Sequence, residues 1–353
     1  MHALQIMAGK RAYQRIREHH FRPEDVRLIL GASGGPKWFV LSHLDRLIAR
    51  ELLPAMSQPV HLAGSSIGAW RMACYASEDP ESALQRLEQH YLNQSFAPGM
   101  TPEAVSAQCA EMLQQVLGDA YVPQANRLLH IITARCTGVT THETYWKQLS
   151  AFMLVAGTNA VTRRSLRLHF DRHIVQSRPG SLPVRGFPDF RTTGSQLDDD
   201  NLFPALLASA AIPVAMAGVR DIPGSSTGLY RDGGMVDYHF DLPFDTPDGL
   251  ILYPHFAPQL KPGWFDKRLK WRRVKAEHYQ DVLLLTPTSA FIEKLPQGKI
   301  PDRQDFQRMS DADRIAYWRR SIQAGERLAD EFHDWLHGGG TGSMVKPFDP
   351  AQF

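Results

Sequence analysis

Cysteine is scarce in this chain, with three residues, Cys74, Cys109 and Cys136, among 353. An odd number, wide spacing and no Cys-x-x-Cys pair exclude a disulfide framework and a cysteine zinc site. Reduced thiols of this kind point to a cytoplasmic protein. Long apolar runs are lacking too: stretches such as residues 152–156 fall far short of the roughly 20 residues that cross a bilayer. The opening residues carry no basic region followed by an apolar stretch, so no secretory signal is expected. Charge of one sign is not in excess, since 39 Lys+Arg face 37 Asp+Glu, and no global field argues for nucleic acid as a partner. What remains is 43% hydrophobic and 22% charged residues, a globular composition that supports one large elaborated domain.

The pattern of apolar residues gives the organisation. Residues 8–20 read as a polar helix, and residues 1–25 as an N-terminal helical extension. A short apolar strand at 26–30 runs into the glycine-rich loop Gly31-Ala32-Ser33-Gly34-Gly35-Pro36. Helical spacing follows at 38–53, then a second strand at 59–63. Strand, loop, helix, strand opens a βαβ unit, so the expected class is α/β with a mainly parallel sheet between layers of helices. Further helices are predicted at 69–76, 102–117 and 201–211, and strands at 128–134, 228–231, 249–253 and 281–285. Residues 163–200, rich in Arg, Pro and Gly, read as a surface insertion able to cap a site rather than as sheet. The main domain is expected to span 26–290. Residues 291–353 form a C-terminal helical extension, in which one long helix carries Ile315, Trp318, Ile322, Leu328, Phe332 and Trp335 before Gly338 and a loosely held tail.

Gly64-Ser65-Ser66-Ile67-Gly68 fits Gly-x-Ser-x-Gly, with an apolar strand before it and a helical pattern after it. A nucleophilic serine projects from a sharp strand-to-helix turn, where glycines two residues either side relieve crowding. The helix that follows aims its unpaired amides at a developing oxyanion. Gly224-Ser225-Ser226-Thr227-Gly228 also fits the pentapeptide, but it follows Ile222-Pro223 and leads into a strand, so it reads as a loop. Gly34, Gly35 and Ile67 offer amides for an oxyanion hole, and Lys37 brings positive charge to the same corner. A nucleotide phosphate loop is the competing reading, but Pro36 and Trp38 flank Lys37 where such a loop has Gly and Ser or Thr. Asp232-Gly233-Gly234, at the end of a predicted strand, offers a carboxylate base at a turn.

These motifs, taken in order, resemble the patatin-like phospholipases, and Ala205-Leu206-Leu207-Ala208-Ser209-Ala210-Ala211-Ile212-Pro213 is similar to the family's Ala-Ser-x-Ala-x-Pro segment. The resemblance covers about residues 26–240. It implies a patatin-like three-layer α/β/α fold and a Ser-Asp dyad without histidine. In it Ser66 is the nucleophile, Asp232 the base, and Gly34, Gly35 and Lys37 belong to the oxyanion loop. Three features depart from the family pattern: Ser33-Gly34-Gly35 stands for the usual triple glycine, Trp38 replaces the usual glycine after the basic residue, and Asp237-Tyr238-His239-Phe240-Asp241-Leu242-Pro243 replaces the usual Asn-x-Pro.

The activity this implies is lipid acyl hydrolysis, or broader carboxylesterase activity, on a lipid or other acyl ester, with neither metal nor organic cofactor. An acyltransferase using the same dyad and a non-catalytic lipid-binding or scaffold protein are the alternatives. His61 or His239 could instead supply a triad base, and Asp237 with Asp241 a metal pair, although solvated carboxylates are the simpler expectation for the latter. Residues 261–275 hold seven Lys/Arg against one acid, Asp266, interleaved with Trp264, Phe265, Leu269 and Trp271. That composition suits peripheral contact with an anionic membrane, and equally a solvated basic face.

Overall fold

The computed structural model describes residues 2–56, 59–246 and 249–352. Eleven strands build one sheet: β1 (Leu4–Ala8), β2 (Val26–Gly31), β3 (Val60–Ser65), β4 (Arg127–Cys136), β5 (Phe170–Gln176), β6 (Thr192–Gln196), β7 (Val219–Arg220), β8 (Leu229–Asp232), β9 (Leu250–Pro254), β10 (Val282–Pro287) and β11 (Val345–Pro347). Their order is β11-β1-β10-β9-β2-β3-β4-β5-β6, with β8 on β4 and β7 on β8. Most pairings are parallel, and the central strands β2, β9 and β10 are almost wholly buried, as near-continuous apolar runs require. The fold is α/β, with helices covering the sheet.

β4 positions the site. At ten residues it outruns β3, which pairs with it only as far as Ser65 opposite Ile132. From Thr133 onward the same edge of β4 is taken by β8 running antiparallel, with Asp232 opposite Thr133, while β5 occupies the other edge. The C-terminal end of β3 and that of β8 therefore meet over two consecutive residues of one strand.

The helix Ile67–Ala76 is buried along its whole length and lies against β2, β3 and β4. Its close approach rests on glycine: a Cβ on Gly68 would stand 1.9 Å from the carbonyl oxygen of Gly31, and one on Gly64 2.4 Å from that of Gly68. Farther along, Arg71 makes two hydrogen bonds of 2.7 Å to Asp45, which also accepts from the Tyr75 hydroxyl at 3.1 Å. Both charged side chains are fully buried, and the bidentate geometry compensates their loss of water.

Several expectations need correction. The N-terminal residues are not only a helical extension, since β1 joins the sheet antiparallel to β10 ahead of the helix Lys10–His19. The C-terminal residues also end in sheet, because β11 pairs in parallel with β1 and Val345 is buried. The region 163–200 contains β5, whose seven residues are all buried, and β6 beside it. Arg172 in β5 sits between Asp237 and Asp189, and these pairs allow a charged segment to be interior. The single long helix near the C-terminus is two, Asp311–Ala324 and Glu326–His337, broken at Gly325 where the chain packs on the carbonyl of Val40.

Candidate active site

Ser66 occupies the turn between β3 and the helix Ile67–Ala76 with φ 55° and ψ −133°, a conformation that a non-glycine residue holds only under constraint. The constraint comes from Ser209, whose hydroxyl accepts the Ser66 amide at 2.9 Å and donates to the carbonyl of Ile132 at 2.7 Å. The sequence pointed to the segment around Ser209 without giving this residue a task.

The Ser66 hydroxyl donates to Asp232 Oδ2 at 3.0 Å, and Asp232 Oδ1 accepts the Gly234 amide at 2.7 Å. Gly233 has no room for a side chain, because a Cβ would stand 2.1 Å from the carbonyl oxygen of Ile132. Burial pushes the Asp232 carboxyl above the usual range, against the opposing pull of Arg303, the Gly234 amide and the Ser66 hydroxyl. Arg303 Nη2 stands 3.9 Å from Asp232 Oδ2. No motif marks Arg303, which arrives from the C-terminal region 291–353, and nothing local in the sequence could have found it.

Ser66 opens onto a cavity of about 470 Å³ whose wall includes Gly35, Ile67, Trp70, Phe96, Met216 and Phe306. Gly35 and Ile67 thus stand beside Ser66 at the cavity, and the Ile67 amide belongs to the first turn of its helix, where amides have no intrahelical acceptor. Gly35 holds φ 56°. Gly34 packs beneath the ring of Phe256, and Lys37 is drawn away from the cavity: its ammonium stands 5.3 Å from the centre of the same ring, and its amide donates to the Gly34 carbonyl at 3.4 Å. Burial lowers the Lys37 pKa. Arg303, not Lys37, is the cation on the cavity wall. Trp38 is fully buried against Phe39 and lies outside that wall, so its bulk does not narrow the cavity.

The two histidines are engaged elsewhere. His61 Nδ1 pairs with His130 Nε2 at 3.0 Å and burial lowers its pKa to about 4, while His239 Nδ1 accepts the Lys261 amide. Asp237 is not solvated, being bound to Arg172 at 2.6 and 2.9 Å, and Asp241 accepts from His278 and the Lys275 amide. These partners replace the metal pair. Ser225 of the second Gly-x-Ser-x-Gly-like segment bonds His173 and Ser195 in a loop that leads to β8. Cys74, Cys109 and Cys136 are all buried and free.

The comparison with known families decides the relationship: residues 40–240, more than half of the chain, match the family described as Patatin-like phospholipase. The chain belongs to the patatin-like phospholipase family. No curated protein matches it. The patatin-like span contains Ser66, Ser209 and Asp232, whereas Gly35 and Arg303 lie outside it on either side. Membership places the protein among lipid acyl hydrolases. None of its described helices is long and apolar enough to cross a membrane.

Proposed function

We propose that this protein is a serine-dependent lipid acyl hydrolase acting through a Ser66-Asp232 dyad and an acyl-enzyme. The observation that carries the reading is the 3.0 Å hydrogen bond from the Ser66 hydroxyl to a buried carboxylate, at a strained turn that opens onto a cavity with apolar walls. Asp232 takes the Ser66 proton as Oγ attacks the acyl carbonyl. The amides of Ile67 and Gly35 receive the oxyanion, assisted by the N-terminal end of the helix Ile67–Ala76. Asp232 then returns the proton to the leaving alcohol. Water, deprotonated by the same carboxylate, attacks the acyl carbonyl, and Asp232 passes that proton to Ser66 Oγ as the fatty acid leaves. A raised pKa makes Asp232 a stronger base than an exposed carboxylate.

Intact-mass analysis after fluorophosphonate treatment, alongside hydrolysis of p-nitrophenyl esters of short and long acyl chains, tests the reading. The wild type gains one adduct and turns over ester, Ser66→Ala does neither, and Asp232→Asn loses turnover. A folded wild type that neither labels nor hydrolyses refutes the dyad and leaves a lipid-binding protein on this fold.

A further inference from the structure

Eight of the eleven exposed large apolar side chains among the described residues belong to two stretches of chain, 145–168 and 264–271. Trp146, Met153, Leu154 and Val161 follow helical spacing along the outer side of the helix Tyr145–Val161, and they are between 52% and 85% exposed. Leu168 continues the stripe beyond the helix, 72% exposed. Beside it runs the segment 261–275, with Trp271 68% exposed.

The two stretches are fastened together. Asn159 donates to Asp266 Oδ1 at 2.8 Å, Arg163 to Asp266 Oδ2 at 2.9 Å, and Arg272 to the carbonyl of Asn159 at 2.9 Å. The rings of Phe152 and Phe265 stack with centres 6.1 Å apart. Asp266, the one acid of 261–275, is fully buried in this joint. From residue 144 to residue 170 the chain has no acid at all. The charges left outside, among them Lys147, Arg164, Arg167, Arg268 and Lys270, are exposed and of one sign.

Two contacts set this face at the border of the cavity. Gln148 accepts the amide of Val214, between the cavity-wall residues Ile212 and Ala215, and Arg163 donates to the carbonyl of Val236 at 2.6 Å, four residues after Asp232. An apolar stripe of this size is unusual on a water-facing surface. Tryptophan and aliphatic side chains interleaved with cations match the apolar boundary and the negative charge of a lipid surface.

We propose that residues 145–168 and 261–275 form one membrane-docking face that seats the protein on an anionic bilayer with its cavity mouth beside the lipid. Docking is independent of the chemistry at Ser66, so it is tested in the Ser66→Ala protein, where failure of docking cannot be confused with absence of turnover. The assay is co-sedimentation with vesicles of phosphatidylcholine alone and of phosphatidylcholine with phosphatidylglycerol. The full chain binds the phosphatidylglycerol vesicles more tightly, and the preference shrinks as salt is raised. Combining Arg268→Ser with Lys270→Ser weakens that binding about 25-fold, taking each cation near the surface as about fivefold. Leu154→Glu with Trp146→Glu weakens it about tenfold or more. These four side chains are exposed, and thermal melting confirms that the variants fold. Absence of binding to phosphatidylglycerol vesicles, or variants that bind as the parent does, overturns the proposal. A dimer in size-exclusion chromatography that Leu154→Glu dissociates, without vesicle binding, assigns the face to a second copy instead.

Discussion

Ser209→Ala removes one oxygen and leaves the Ser66 amide, in the turn after β3, and the Ile132 carbonyl, in β4, without their partner. The Ser66 amide, buried and donating at 2.9 Å, has the greater effect: an orphaned buried donor costs about 1–3 kcal/mol. Loss of the 2.7 Å bond to the Ile132 carbonyl adds about 1 kcal/mol. The expected destabilisation is therefore about 2–4 kcal/mol. At about 2.1 cal/mol/K per residue for a chain of this length, that lowers Tm by about 3–5 °C. The same hydrogen bond offsets the 1–3 kcal/mol or so of strain at the Ser66 backbone, so the population with Oγ aimed at the cavity shrinks. Turnover should fall about 10- to 100-fold, in kcat rather than KM, because the cavity wall is untouched. Scanning calorimetry and ester hydrolysis measure the two effects, with Ser321→Ala as control. Ser321 is also buried and bonds a backbone carbonyl, that of Tyr317 at 3.1 Å, but far along the chain in another helix. A Ser209→Ala protein that melts lower yet keeps kcat within twofold of wild type would show that Ser209 supports the fold and not the nucleophile.

Other substitutions extend the reasoning. Asp232 must be ionised to act as base, and burial raises its pKa, so hydrolysis should fall as pH drops through a value above the ordinary carboxylate range; Arg303→Met should move that limb to still higher pH in a pH-rate profile. The folded state holds the Asp232 proton more tightly than the unfolded chain, so its stabilising contribution is full below the unfolded pKa and lost as pH rises through the folded one. Asp232→Asn should accordingly melt above wild type at about pH 8, with the gain shrinking toward acid pH. One glycine substitution should act with opposite sign at two sites: Gly68→Ala meets the Gly31 carbonyl and should fail to accumulate as folded protein, whereas Gly157→Ala, with nothing within 4 Å, should gain about 0.5–1 kcal/mol in urea melts. Arg71→Met strands the Asp45 carboxylate and should cost about 3–5 kcal/mol by the same measurement, most of it recovered when Asp45→Leu is added.

Legibility in the sequence followed the kind of force at each place. Residues 102–117 read as a helix to the residue from the apolar face that includes Val105, Cys109, Met112 and Val116, and in the structure Thr101 caps its start and Gly118 its end. The serine turn was legible because backbone crowding forces glycine at fixed offsets, and Asp232 because it ends a short strand before two glycines. β5 was not, since Phe-Asp-Arg-His-Ile-Val-Gln lacks apolar alternation and is interior only through distant carboxylates that meet Arg172. Arg303 and Phe306 were hidden for a related reason: their place is set by how the last third of the chain lies across the cavity, which no local spacing records. The break at Gly325 depends on the approach of Val40, almost three hundred residues earlier.

The pairing of β1 with β11 joins the first of the described strands to the last. Arg303 and Phe306, on the cavity wall, are likewise among the late residues. While synthesis is under way, a nascent chain can hold Ser66 and Asp232 on β3, β4 and β8 yet lack one side of the chamber and the cation beside the carboxylate. Closure of the cavity thereby waits on residues more than sixty positions beyond the patatin-like segment, and a translating ribosome carries that segment while the cavity is still open.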